Sequence, residues 1–135
     1  MKLHGEEHER TFTVANNYAL SLNGLQRFKE TKSLLRRTLP VMRRVLGEND
    51  IITLKTRWLY ARALLLDTSA TLDDLQEGVT TLEDAEPTAR RVLGGAHPIT
   101  VDVEANLRLA RAALRAREGD VDALREGVEE LRVKK

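Results

Sequence analysis

The feature that most constrains this chain is an eight-residue segment that occurs twice, as "LGENDIIT" at 46–53 and as "LGGAHPIT" at 93–100. A fainter third copy, "HGEEHERT", occupies 4–11. Glycine after an apolar residue typically ends a helix, and a polar residue a few positions later is suited to cap the next one. We therefore interpret each copy as a junction between two helices.

Apolar residues recur at helical spacing after each junction and again in a second segment of each unit. No stretch alternates apolar and polar residues as a strand would, so the sequence predicts an all-α fold. The first helices carry Phe12, Ala15, Tyr18, Ala19 and Leu22, then Leu54, Trp58, Ala61 and Leu65, and finally Val103, Leu107, Ala110 and Leu114. In the last unit, Val121, Leu124, Val128 and Leu131 predict a second helix.

The repeats predict one domain over residues 1–135, built as an α-solenoid of about three antiparallel helix pairs. The units run roughly from 3 to 45, from 46 to 92 and from 93 to 135. A two-helix unit of this length does not bury its own apolar face, so neighbouring units must stack to form one core. Pro40 and Pro87 fall within predicted second helices, where we expect a kink or a break.

Composition excludes several classes of protein. The chain has no cysteine, which excludes disulfides and thiolate chemistry and is compatible with a cytoplasmic location. Its apolar stretches are too short to span a bilayer, so we expect no membrane association. Lysine plus arginine number 22 against 21 acidic residues, and only five residues are aromatic, so we expect no nucleic-acid binding.

Charge is nonetheless uneven along the chain. Between Ala63 and Ala89 there are seven acidic residues and no basic one. Two readings stay open for this segment. It is either a solvated helical hairpin or an acidic surface that complements a basic end of another copy of the protein.

No enzyme signature is present. Paired acids such as Asp73 and Asp74 lie on polar helix faces without a histidine that could divide acid and base roles. The glycine pair at 94 and 95 fits a helix end better than a phosphate-binding loop. We therefore predict a non-catalytic protein with no metal site and no cofactor.

The arrangement resembles the tetratricopeptide repeat of the type found in kinesin light chains. That family has a linker of the form L-G-x-x-H-P-x-T and a first helix with N-N-L-A-x-x-L. Here these appear as "LGGAHPIT" at 93–100 and "NNYALSL" at 16–22, while "RFKETKSLLRRTL" at 27–39 is similar to the family's second helix. The resemblance covers practically the whole chain and implies a right-handed superhelix. It does not carry over any association with a motor.

The third unit departs from the family pattern. Arg108 stands where the first two units have the small residues Ala19 and Ala61. A register shifted by three residues would fit the last unit nearly as well.

The resemblance implies a concave groove lined by the first helix of each unit, in which a peptide or protein segment binds. Asparagine amides there would hold the ligand backbone, since an amide both donates and accepts hydrogen bonds. By repeat position the candidate partner-binding residues are Thr13, Asn16, Asn17 and Leu20, then Lys55, Trp58 and Arg62, then Asp102 and Asn106. Trp58 is either a core residue or a ligand contact, and one of the two adjacent asparagines is either a ligand contact or an interhelical bond.

Two functions follow as hypotheses. The first is a protein–protein interaction scaffold that binds a peptide or protein segment. The alternative is a structural module that forms homo-oligomers through the ends of the repeat array and the exposed apolar faces of its last unit.

Overall fold

All regular secondary structure in the described part of the chain is α-helical. The structure is a computed structural model that describes the backbone of residues 2–133 and the side chains of residues 8–133. No strand occurs in that range. Its five helices are α1 (Lys2–Gly24), α2 (Phe28–Leu46), α3 (Ile51–Leu66), α4 (Leu72–Leu93) and α5 (Pro98–Val133).

The central helix, α3, packs against all four of the others. Successive helices pack in sequence order, and α1 and α5 each also contact α3. Two clusters of buried side chains result, one between α1, α2 and α3 and one between α3, α4 and α5. Trp58 packs against both clusters. Burial on most of its surface explains why α3, "IITLKTRWLYARALLL", is the most apolar helix.

The two strong junctions end and start helices as predicted. Gly47 (φ 92°, ψ 163°) follows α2 and Gly94 (φ 89°, ψ 156°) follows α4. This is an extended region with positive φ that is essentially restricted to glycine, rather than the left-handed helical one usual at helix ends. Asp50 then accepts a hydrogen bond from the Ile52 N–H at 2.8 Å and caps α3.

At the second junction the cap is a histidine. His97 Nδ1 accepts from the Ile99 N–H at 3.1 Å, and Pro98 is the first residue of α5. Proline suits that position because the N–H it lacks would have no partner inside the helix. The repeated eight letters are thus a helix stop followed by a helix cap.

The prediction of a helix junction at 4–11 is wrong. Helix α1 begins at Lys2 and runs through the segment without a break. Glutamate is a strong helix former, and Glu6 stands where the second junction has Gly95, while Glu7 stands where the first has Asn49. The local helix preference therefore outweighs the cost of one glycine.

The expected third helix pair is also absent from the structure. Residues 98–133 form one continuous 36-residue helix, so the fold has two hairpins followed by one long helix. In the second unit, Asp67 Oδ1 accepts from the Ser69 N–H in the turn, and Thr71 forms a capping box with Asp74 at the start of α4. The corresponding segment of the third unit, "RAREGD" at 115–120, is dominated by helix-forming residues and continues the helix.

Neither proline ends its helix. Pro40 lies within α2 and Pro87 within α4, and both helices continue to their junction glycines. The expected break is therefore not seen. Each proline still leaves one carbonyl of the preceding turn without its helical N–H partner.

Candidate functional site

The predicted groove residues lie on three helices that are neighbours in space, α1, α3 and α5. Their exposure divides them into three groups. Thr13, Asn17, Leu20, Lys55 and Asp102 are exposed, Trp58 and Arg62 are half-buried, and Asn16 and Asn106 are buried.

Asn16 joins α1 to α3. It is 3% exposed, and its Nδ2 donates to Thr56 Oγ1 at 2.8 Å. Asn23 makes a second bond between the same helices, from its Nδ2 to the Leu59 carbonyl at 3.2 Å. The amide of Asn16 is therefore engaged inside the protein, whereas that of Asn17 faces solvent.

Asn106 has a similar role between α3 and α5. Its Oδ1 accepts from Arg62 Nη1 at 3.4 Å, and its Nδ2 donates to the Asp102 carbonyl at 2.7 Å. The bond from Arg62 restricts the rotation of α5 about its axis relative to α3, whereas the bond to Asp102 lies within α5. The side chain of Asp102 is thereby held on the exposed side of α5.

Trp58 and Arg62 are stacked on each other. The Arg62 guanidinium carbon lies 5.2 Å from the centre of the Trp58 ring, within cation–π range. Trp58 packs against both core clusters, and its indole Nε1 is buried without a hydrogen-bond partner among the described residues. Trp58 therefore serves mainly as packing and as a platform that holds Arg62.

The exposed candidates lie within one helical turn of the residues that join the three helices. On α1, Asn17 lies 100° from Asn16, the residue that faces α3. On α3, Lys55 and Arg62 are seven residues apart and therefore lie on the same face of the helix. Trp58 and the contact with α5 lie beside that face. We name the exposed side of α1, α3 and α5 defined by Asn17, Lys55, Arg62 and Asp102 the three-helix face.

Sequence reasoning missed one residue of the three-helix face. Leu109 is seven residues after Asp102 on α5 and is 67% exposed. The signal was available, because Leu109 lies outside the regular apolar stripe of that helix. A large apolar side chain in this position gives the face a hydrophobic contact point beside its polar ones.

A recess that is separate from the three-helix face lies between α2 and α4, above α3, and sequence reasoning also missed it. Its volume is about 430 Å³. Arg36, Arg43, Arg57 and Tyr60 line it together with Leu35, Leu39, Pro40, Glu77, Thr80, Thr81 and Asp84. In the sequence Arg36 looked like part of a solvated face because its partner Glu77 is 41 residues away along the chain.

Tyr60 is the centre of a hydrogen-bonded chain across this recess. Arg36 Nε donates to Tyr60 Oη at 2.8 Å, and Tyr60 Oη donates to Glu77. Burial, with the bond to Glu77, raises the pKa of Tyr60 to about 12. Arg36 also pairs with Glu77 directly at 3.2 Å, so α2, α3 and α4 are tied together at one point.

Arg57 forms the floor of the recess. It is 3% exposed, and burial, followed by the charge of Arg43, lowers its pKa. Both guanidinium groups pair with Glu48, at 3.2 Å from Arg57 and 2.8 Å from Arg43. Each arginine that lines the recess is thus paired with a glutamate, which is typical of a structural network between two hairpins.

Comparisons with protein-family models, with curated proteins and with solved structures gave no match. Within residues 2–133, no helix combines the length and apolar character needed to cross a bilayer. The described side chains contain no group of three or more histidine, aspartate or glutamate residues placed to hold a metal ion.

Proposed function

We propose that this chain is a non-catalytic interaction module that binds a peptide or protein segment along the three-helix face. We also propose that the two hairpins are the beginning of a tetratricopeptide-like solenoid. The proposed location is cytoplasmic. The observation that carries the proposal is that some asparagines bond other helices while polar residues close to them stay exposed. Asn16 bonds Thr56 of α3 and Asn106 accepts from Arg62 of α3, while Asn17, Lys55 and Asp102 nearby in sequence remain exposed.

The chemistry of the three-helix face suits an extended ligand with acidic side chains. The free amide of Asn17 can pair with one peptide group of any sequence, because it offers both a donor and an acceptor. Lys55 and Arg62 add two cations on the central helix. Asp102 on α5 gives the face a negative end, which would favour one orientation of a ligand of uneven charge.

Preorganisation favours binding at this face over the recess between α2 and α4. Arg62 is held on Trp58 and bonded to Asn106, so a ligand that contacts it orders little new structure. In the recess, by contrast, a ligand would first have to displace the Arg36–Glu77 and Arg57–Glu48 pairs. The three-helix face therefore requires less rearrangement.

The test is selection of peptides from a random display library on the intact chain, followed by affinity measurement on variants. We expect the double variant Asn17→Ala/Arg62→Glu to bind the selected peptides at least ten times more weakly than the unmodified chain. Arg37→Glu is the matched control, since it reverses an exposed charge on α2, away from the three-helix face. Circular dichroism must show equal helicity for all three proteins. Equal peptide binding by the double variant and the control would refute the proposed site.

A further inference from the structure

The second half of α5 extends beyond the rest of the fold. Arg117 Nη2 donates to the Ala70 carbonyl, in the turn between α3 and α4, at 3.1 Å. From residue 118 to residue 133 every side chain is exposed except that of Val121, which is half-buried. A single surface helix of this length is only marginally stable in water without a partner.

One apolar seam runs along α5 with alternating steps of three and four residues. Its first part, Val103, Leu107, Ala110 and Leu114, packs against α3 and α4. After Arg117 the same spacing continues with Val121, Leu124, Val128 and Leu131. Leu124 is 69% exposed and Leu131 is 67% exposed. We name these last four residues the free seam.

The free seam stays on the side of α5 that carries the α3–α4 hairpin. A seven-residue repeat on a straight helix drifts by roughly 20° per repeat, or about 60° between Leu107 and Val128. The free seam is therefore a continuation of a buried surface past the point where the hairpin ends. Two apolar residues in every seven, here valine and leucine in alternation, are the pattern of a coiled-coil contact.

We propose that the free seam binds the free seam of a second copy of this chain, with the two helices antiparallel. In this register Val121 lies across from Leu131 of the other copy, and Leu124 lies across from Val128. Both pairs occur twice because of the twofold symmetry. The free seam is thus complementary to itself in size, because every layer pairs one β-branched valine with one longer leucine.

The α3–α4 hairpin decides the orientation. In a parallel pair, the partner's α5 would lie on the same side of the helix as the hairpin and would collide with it before Arg117. In an antiparallel pair the two hairpins lie at opposite ends, and each free seam reaches only as far as the turn that Arg117 contacts. The α5 helix of the partner then takes the place of the predicted second helix of the third unit.

Charges beside the free seam are compatible with this arrangement. Glu118 and Arg132 flank the free seam on one edge, and the antiparallel register brings Glu118 of each copy close to Arg132 of the other. Arg125 meets its own copy near the twofold axis, so two attractive contacts oppose one repulsive contact. A parallel pair would join Asp120 to Arg125, so charge alone does not select the orientation and the hairpin does.

The contact is small. Two heptads bury less than the roughly 1,200–2,000 Å² of a standard interface, so we expect a weak dimer that dissociates in the micromolar range. The proposal does not depend on the three-helix face, because the free seam begins twelve residues after Leu109.

Sedimentation velocity of the intact chain over a micromolar concentration series is the first test. We expect a monomer–dimer equilibrium that Leu124→Glu/Leu131→Glu shifts at least ten-fold toward monomer. Val14→Glu is the matched control, because Val14 is 66% exposed but lies on α1. A chain that stays monomeric throughout the series would overturn the proposal. So would equal dissociation by the control, which would indicate end-to-end stacking instead.

Cross-linking tests the orientation without relying on the stability of any glutamate variant. The chain has no cysteine, so Glu118→Cys and Arg132→Cys each introduce a unique thiol. A short thiol-specific cross-linker should join the two proteins when they are mixed and should give little product with either protein alone. Predominant cross-linking of each variant to itself would show a parallel pair and refute the antiparallel arrangement.

Discussion

Replacing Gly94 with alanine tests whether the repeated junction depends on backbone geometry. At φ 89° and ψ 156° the residue occupies a region that costs other residues about 1–3 kcal/mol. A Cβ added there would meet no other atom within 4 Å, so steric contact adds nothing to the cost. The loss of chain entropy in the unfolded state returns about 0.4–1 kcal/mol. The net expectation is a destabilisation of about 1–2 kcal/mol.

Gly24→Ala is the matched control for this change. Gly24 is the last residue of α1, its φ is not positive, and its added Cβ would likewise meet nothing within 4 Å. The same chemical change should therefore be neutral or stabilise the fold by up to about 1 kcal/mol. Gly47→Ala should behave as Gly94→Ala does, because Gly47 has nearly the same dihedral angles.

Urea unfolding followed by circular dichroism at a fixed low protein concentration measures all three variants. In thermal unfolding of the same proteins, each kcal/mol of lost stability corresponds to a fall in Tm of roughly 3–6 °C for a domain of this size. A Gly94→Ala protein as stable as Gly24→Ala would refute the reasoning. The junction would then owe its shape to its neighbours rather than to the conformational freedom of glycine.

Two further predictions concern titrating side chains. The 2.9 Å bond from Lys32 holds the pKa of Asp67 well below its usual range, so the contribution of this pair is complete above about pH 4 and is lost as pH falls further. Asp67→Asn should cost about 2 kcal/mol at pH 7 and flatten the acid side of the stability curve in urea titrations from neutral to acidic pH, and an unchanged acid limb would contradict this. Tyr60, whose pKa is raised to about 12, contributes stability that is complete below about pH 10 and lost toward pH 12. Tyr60→Phe should cost about 1 kcal/mol at pH 7 and reduce the alkaline loss, whereas an equal alkaline loss in denaturant titrations would show that other groups cause it.

The parts of the fold that the sequence predicted are those that depend on a few adjacent residues. Glycine at 47 and 94, Asp50, and the His97–Pro98 pair act within one helical turn, so local sequence located these two helix ends and their caps. The second helix of the third unit was predicted from the spacing of Val121, Leu124, Val128 and Leu131. That spacing describes an apolar face, and an apolar face does not specify whether the preceding residues turn.

The candidate site was less predictable because it depends on helix rotation. Asn16 and Asn17 are adjacent letters, yet only the contact with Thr56 reveals that Asn16 faces inward. The recess joins Arg36 to Glu77 across 41 positions of sequence, a pairing that no local pattern encodes. Local chemistry thus located the two strong helix junctions, whereas the accessible side chains emerged only from the packing of the helices.

The long fifth helix links the two proposed activities but keeps them separable. Its first half supplies Asp102 and Leu109 to the three-helix face, and its second half supplies the free seam. Asn17→Ala/Arg62→Glu leaves the free seam intact, and Leu124→Glu/Leu131→Glu alters residues that contact no part of the three-helix face. A chain that lost peptide binding in the first variant and self-association only in the second would show that one helix serves two surfaces. Loss of both properties in either variant would instead indicate that α5 moves as a unit, and that the rotation fixed by Asn106 is coupled to the partner at its far end.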